Sequence, residues 1–347
     1  MKVGILTEET WSFLNEIYED LSKHHQTTSF KRTTVQSPVF ETRLNRYLGR
    51  RDLTAFLEAN DVAFFEWASR LLAVTTHMPK HCSIVTRLHR YEMYKWVDRV
   101  DWEAVDRIIL VSQAKKQEFL SRFPDLASKI AVVYEAVDPD KYHPRPRKFQ
   151  GDIGTLCHLT PRKRVYELIL TFYELVQQRP DLHLHIGGGQ HVNYGDYYYA
   201  LHDLVKKLNL DDKVTFYGNV ADTHEWYHKV DIFISNAYSE GLQVAPLEAM
   251  ASGCYCLVHN WAGADEMLPD RYLYFTDRQL QEKILAYCDL SEIEKQREKE
   301  YLRSVVCKKF NIHHTKVQIR EIIESVGNQK ISSNNSRPVT TSHQQIG

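Results

Sequence analysis

Short apolar runs rich in Val, Ile and Leu recur along the chain, and longer stretches with apolar positions every three to four residues separate them. The runs predict strands at Val3–Leu6, Val62–Phe65, Ser83–Leu88, Arg107–Val111 and Ile130–Val133. A second series follows at Ile153–Cys157, Leu182–Ile186, Val214–Tyr217, Asp231–Ser235 and Tyr255–Val258. The helical spacing falls at Gln113–Arg122, Val165–Gln178, Tyr197–Leu208 and Leu280–Asp289. Strands alternating with helices in this way predict α/β domains with parallel, doubly wound sheets. The series breaks at His143–Lys148, where Pro144 and Pro146 alternate with cations and suit neither a helix nor a central strand. The expected division is a first domain over 1–143, a linker over 144–151 and a second domain over 152–309. From 327 to 347 the residues are mostly Ser, Thr, Asn and Gln, the composition of a disordered tail.

A chain of 347 residues exceeds one ordinary core and suits two domains. Lys and Arg (44) balance Asp and Glu (45), so no overall field draws it to nucleic acid, and none is expected as a partner. No apolar stretch approaches the ~20 residues of a membrane span, and the start of the chain reads as a first strand rather than a signal peptide. The six cysteines contain no C-x-x-C pair and no zinc-like spacing with histidine. They read as reduced, structural thiols of a cytoplasmic protein.

Three segments carry candidate chemistry. In the first, strand Asp231–Ser235 runs into a loop with Glu240 and Gly241, then into a helix expected to begin near Pro246 with Glu248 in its first turn. This strand–loop–helix edge is where open α/β sheets bind ligands. A carboxylate at a helix start is worth only about 0.3–1 kcal/mol to the helix. That accounts for Glu248 alone, not for two acids flanking a glycine. In the second, Cys157–Arg164 places Thr160 as N-cap and Pro161 at a helix start, followed by Arg162, Lys163 and Arg164. Cations are unfavourable at that end of the dipole unless an anion joins them, and a diphosphate is the natural guest. In the third, Leu182–Ile186 leads into Gly187, Gly188 and Gly189, which would let a phosphate or base approach the backbone.

Together these residues carry a resemblance. Glu240 and Glu248 flank seven residues in EGLQVAPLE, which is similar to the E-x7-E signature of the family 4 retaining glycosyltransferases. Cys157–Arg164 resembles the family's phosphate-binding turn with its lysine, Trp261–Glu266 its later Gly-containing turn, and Val137–Pro144 the approach to its interdomain linker. The resemblance implies the GT-B architecture, two Rossmann-like doubly wound domains facing across a cleft, with a C-terminal helix at about 310–326 packing back on the first. It implies that Glu248 holds the ribose of a nucleotide sugar, that Glu240 holds the donor sugar, and that the backbone of Gly241, Leu242, Gln243 and Val244 lies along sugar and phosphate. Lys163 would neutralise the departing diphosphate, with Arg162, His158 and Gly188 beside it. His89, at the end of Ser83–Leu88, would be the active-site histidine reaching the sugar from the first domain.

The family works without a metal or other cofactor, so a UDP- or GDP-sugar would be the only co-substrate, and the D-x-D pair Asp138 and Asp140 receives no metal role. Transfer would proceed with retention, through an oxocarbenium-like state, the leaving phosphate taking the acceptor's proton. Two departures stand out. His158 replaces the family's usual arginine, and Thr7–Trp11 replaces a Gly-rich loop after the first strand, which leaves the hydroxyl acceptor (glycan, lipid-linked or other) undefined. Arg43–Arg51 and Arg87–Arg99 interleave cations with Leu, Tyr and Trp and could meet such an acceptor or the inner face of a membrane. Rival readings are a nucleotide-sugar hydrolase or epimerase and a non-catalytic nucleotide-sugar-binding subunit.

Overall fold

The computed structural model describes residues 1–11, 14–36 and 40–335. Six strands form the first sheet: β1 (Lys2–Leu6), β2 (Gln26–Ser29), β3 (Val62–Glu66), β4 (Ser83–Leu88), β5 (Arg107–Leu110) and β6 (Ile130–Val132). Six more form the second: β7 (Asp152–Leu156), β8 (His183–Gly187), β9 (Val214–Phe216), β10 (Ile232–Ser235), β11 (Tyr255–His259) and β12 (Leu273–Tyr274). Every pairing is parallel. The orders are β2-β1-β3-β4-β5-β6 and β9-β8-β7-β10-β11-β12. β3 and β4 are buried along their whole length, because helices cover both faces of a parallel sheet.

In each sheet the strand order reverses once. The chain leaves β1 toward β2 and returns to the other side at β3; likewise it leaves β7 toward β8 and β9 and returns at β10. Ligands of open α/β sheets lie at such a switch point, outside the carboxyl ends of the strands. The places to search are therefore the exits of β1 and β3 in one unit and of β7 and β10 in the other.

The two compact units divide at Val133/Tyr134, ahead of the expected linker. Segment 144–151 belongs inside the second unit because its side chains are tied there. Arg145 pairs with Glu225 at 2.9 Å, and the Gln150 N–H donates to Asp231 at 2.8 Å. Arg147 pairs with Asp152. From Lys316 onward the chain groups with the first unit. Ile319, Ile323 and Val326, on one stripe of the helix Ile312–Asn335, share a core with Val3, Val62 and Val85.

That helix corrects the expected tail. It runs through Asn335, and Gly327 lies so close to Met1 that a Cβ there would meet its Sδ at 2.8 Å. Residues 336–347 lie outside the described residues. Two strands escaped the sequence pattern for physical reasons. β2 is a polar edge strand, and β12 has two residues, too few to show a period.

Candidate functional site

At the exit of β7 the chain makes a tight 3₁₀ turn, Pro161–Lys163, before the helix Val165–Gln178 begins. Thr160 makes no capping hydrogen bond, contrary to the N-cap expected of it. Arg164 takes a left-handed conformation, φ 52°, to join the turn to the helix. Such a conformation is disfavoured for a residue with a side chain and persists where neighbours hold it. Here the Asn236 amide donates to the Arg164 carbonyl at 2.9 Å, and the Tyr274 hydroxyl fixes that amide by donating to its oxygen at 2.9 Å. Asn236 follows β10, so the exits of β7 and β10 are fastened together at the switch point.

The fastening brings three of the sequence's candidates into contact. Lys163 Nζ and Arg162 Nη1 each lie 2.6 Å from the same carboxylate oxygen of Glu240. Lys163 and Glu240 side chains are each 10% exposed. Burial alone would raise the Glu240 pKa; the Lys163 and Arg162 charges overcome it and hold the carboxyl below its ordinary value. Two cations against one carboxylate leave a positive surplus, which suits an anionic ligand. Arg164 is turned away, with Asp277 at 3.2 Å.

His158 does not add to that charge. Desolvation, then the positive charges of Lys163, His191 and Arg162, lowers its pKa, so it is neutral at neutral pH. The cation that stands beside Lys163 on Glu240 is Arg162. The neighbouring Cys157 thiol is pushed up to about 11 by burial and is no nucleophile at neutral pH.

Glu248 lies in a different environment. The helix begins at Val244, two residues before Pro246; its N-cap residue, Gln243, makes no capping bond, and its side chain accepts from the Ser235 hydroxyl. Glu248 is consequently in the second turn, not the first, and a helix-start preference does not account for it. Its two oxygens accept from the Tyr142 hydroxyl at 2.8 Å and the Tyr227 hydroxyl at 2.9 Å. Desolvation raises its pKa, and the two phenols only partly offset that. Sequence reasoning missed both tyrosines. Tyr142 is over a hundred positions away from Glu248 in the chain, and Tyr227 reads as an ordinary core residue, which it also is.

The remaining candidates divide. Gly241, Leu242 and Gln243 are buried behind Glu240, with Val244 half-buried. Gly188 has φ 136°, and a Cβ there would come within 2.0 Å of the Cys157 carbonyl. Its smallness lets the two loops pack together. Asp138 caps its own turn by accepting from the Asp140 N–H at 2.9 Å. Glu266 accepts at 2.7 Å from the backbone N–H groups of Gln113 and Ala114, which group with this unit.

His89 belongs to the first unit, at the exit of β4. Its Nε2 is 2.8 Å from Glu66 at the end of β3, and its ring stacks on Trp67 at 4.0 Å. A buried carboxylate on one ring nitrogen fixes the tautomer and the ring plane. The six cysteines are free thiols. Among the described residues no helix is long and apolar enough to cross a membrane.

With this geometry in place, known proteins bear on it. Residues 145–301, most of the second unit, match the family model for Glycosyl transferases group 1. Spore coat protein SA of Bacillus subtilis is 27% identical over 192 residues, 48% of this chain and 50% of that protein. The lipopolysaccharide core biosynthesis mannosyltransferase LpsB of Rhizobium meliloti is 30% identical over 110 residues, 31% of this chain and 30% of its own. The matches thus span half or less of these relatives. Anabaena HepE, solved with UDP and glucose, superposes with a TM-score of 0.76 over 93% of this chain and 99% of its own; at 17% identity it shows the fold alone. Residues 145–301 are thus similar to the group 1 glycosyltransferases, and the two α/β units have the GT-B fold of the solved neighbours.

Proposed function

We propose that the chain is a retaining glycosyltransferase that moves a sugar from a nucleoside diphosphate sugar to a hydroxyl acceptor without a metal. The observation that carries this reading is the buried Lys163–Glu240–Arg162 cluster at the β7–β10 switch point. When the donor binds, its diphosphate takes up the positive surplus of the two cations. Glu240, relieved of part of that pairing, turns an oxygen to the sugar hydroxyls. Glu248 gives up one tyrosine bond to a ribose hydroxyl.

The leaving diphosphate gains negative charge as the glycosidic bond breaks, and Lys163 stabilises that charge where water is scarce. Retention follows if the acceptor oxygen attacks the anomeric carbon on the face the diphosphate leaves. The acceptor's proton passes to the departing phosphate oxygen, so no carboxylate need act as nucleophile. His89, held by Glu66 and Trp67, keeps the role of contacting the sugar. UDP-sugars come first among donors, since HepE was solved with UDP and with UDP-glucose. The absence of a spanning helix among the described residues suits a cytoplasmic enzyme that meets a membrane, if at all, at its surface.

The test is a thermal-shift panel of UDP-, GDP- and ADP-sugars, followed by product analysis with the stabilising donor. Transfer to an added hydroxyl acceptor with retained anomeric configuration supports the reading. Free sugar or an isomerised donor as the main product would favour a hydrolase or epimerase, and an inverted product would remove the retaining mechanism.

A further inference from the structure

The first sheet has a switch point of its own, between β1 and β3, which the donor reading does not use. A cavity of about 620 Å³ opens there, within the 300–1,000 Å³ range of small-molecule sites. Segments leaving three neighbouring strands line it: Glu8 after β1, Phe30 and Arg32 after β2, and Arg70 after β3. The helix Glu41–Glu58 adds Arg46, Arg50 and Leu53, so the two basic stretches singled out from the sequence meet here, the second through Trp96 and Arg99.

Its lining joins opposites. Phe30, Leu53, Leu71 and Trp96 give an apolar floor, while five arginines and one acid stand around it. The acid is used up, since Glu8 pairs with Arg70 at 2.7 Å. Among the described residues no carboxylate lies within ion-pair distance of Arg32, Arg46, Arg50 or Arg99, although the adjacent Arg51 pairs with Asp52 at 3.0 Å.

One detail of the helix suits this arrangement. Gly49, a poor residue for a helix interior, leaves the space in which Arg32 lies; a Cβ there would come within 2.6 Å of the Arg32 Nε. Arg32 is also held by the Asn45 carbonyl, at 2.7 Å. Four guanidiniums without carboxylates around an apolar hollow repel one another. A guest with an apolar body and a multiply charged head would relieve that repulsion. Guanidinium forks match phosphate oxygens two at a time.

We propose that this cavity binds a phosphorylated lipid as a single molecule, with its chain against Phe30, Leu53, Leu71 and Trp96 and its phosphate between Arg46 and Arg50. That such a lipid is the sugar acceptor rests on the transferase reading; the binding itself does not.

Titration calorimetry with octyl phosphate, below its micelle concentration and with no nucleotide sugar, tests the binding alone. Saturable binding is expected, about tenfold or more tighter than that of octyl glucoside or inorganic phosphate. Arg46→Ala with Arg50→Ala should weaken it about tenfold or more at unchanged Tm. Gly49→Ala, which favours the helix but displaces Arg32, should weaken binding without lowering Tm. Octyl glucoside binding as tightly would overturn the proposal, as would inorganic phosphate matching the lipid or binding indifferent to the double substitution. Capture by phosphatidic acid vesicles without saturation by octyl phosphate would overturn it in favour of a membrane surface.

Discussion

Glu240 and Glu248 lie eight positions apart in one loop-and-helix, both desolvated, and their surroundings treat them in opposite ways. Glu240 has two cations on one oxygen and is held below its ordinary pKa. Glu248 has two neutral phenols, one on each oxygen, and is pushed above its own. A carboxylate balanced by cations leaves the cluster electrostatically strong and open to competition from a phosphate. A carboxylate among phenols is easily satisfied by another hydroxyl, which is what a ribose brings. Under the proposed function, the first acid would stand beside the cations that meet the diphosphate and turn to the sugar hydroxyls, and the second would serve the ribose.

Breaking the ionic side should have the largest effect. Lys163→Ala is expected to lower turnover about 10²–10³-fold, the usual cost of removing one group that stabilises developing charge. Steady-state kinetics with a saturating donor would show it, and a loss under tenfold would shift the role to Arg162. Next comes the split between the acids. A nucleotide sugar at 100 times its dissociation constant should stabilise the fold by about 2.7 kcal/mol. Glu248→Ala should lose most of that response, while Glu240→Ala keeps the response to the nucleotide and loses turnover. Equal responses in the two variants would erase the distinction.

The fold and the residues of the ionic cluster were largely legible in the sequence. Strands β7, β8 and β10 announce themselves as apolar runs, and the helices Gln113–Arg122 and Val165–Gln178 begin and end where their spacing predicts. Lys163 and Glu240 could be placed in one candidate site because each sits beside a strand end, where topology concentrates ligand chemistry, but their ion pair was not foreseen. The phenolic side was not legible. Tyr142 reaches Glu248 from a segment that composition marks only as the approach to a proline-rich stretch, and no local pattern announces a contact across so long a separation. The helix start was misplaced because Pro246 had looked decisive, whereas the helix begins at Val244, just after a Gln243 whose side chain the Ser235 hydroxyl ties down. The unit boundary was misplaced for a similar reason, since the ties of Arg145, Arg147 and Gln150 hold the proline segment to the second unit.

Smaller effects sharpen the comparison. Tyr142→Phe and Tyr227→Phe should each cost about 1 kcal/mol in denaturant unfolding, because each removes one hydrogen bond to a desolvated carboxylate. A neutral result in both would mean that the phenols do not hold Glu248. The smallest expected change concerns pH. The folded pKa of Glu248 is raised above 4.5, so ionisation costs stability as pH rises from about 4.5 through the folded value. Below that window no cost is present. The Tm of Glu248→Gln, measured against wild type, should therefore rise with pH across the window and then level off. A difference that stays constant from pH 4 to 7 would remove the account of Glu248 as a desolvated acid.

The most direct test is a crystal structure with a non-hydrolysable UDP-sugar. The account predicts diphosphate oxygens within about 3 Å of Lys163 and Arg162, the sugar on Glu240, and a ribose hydroxyl replacing one tyrosine at Glu248. A nucleotide seated away from the β7–β10 switch point, with the Lys163–Glu240–Arg162 cluster intact and unoccupied, would contradict it.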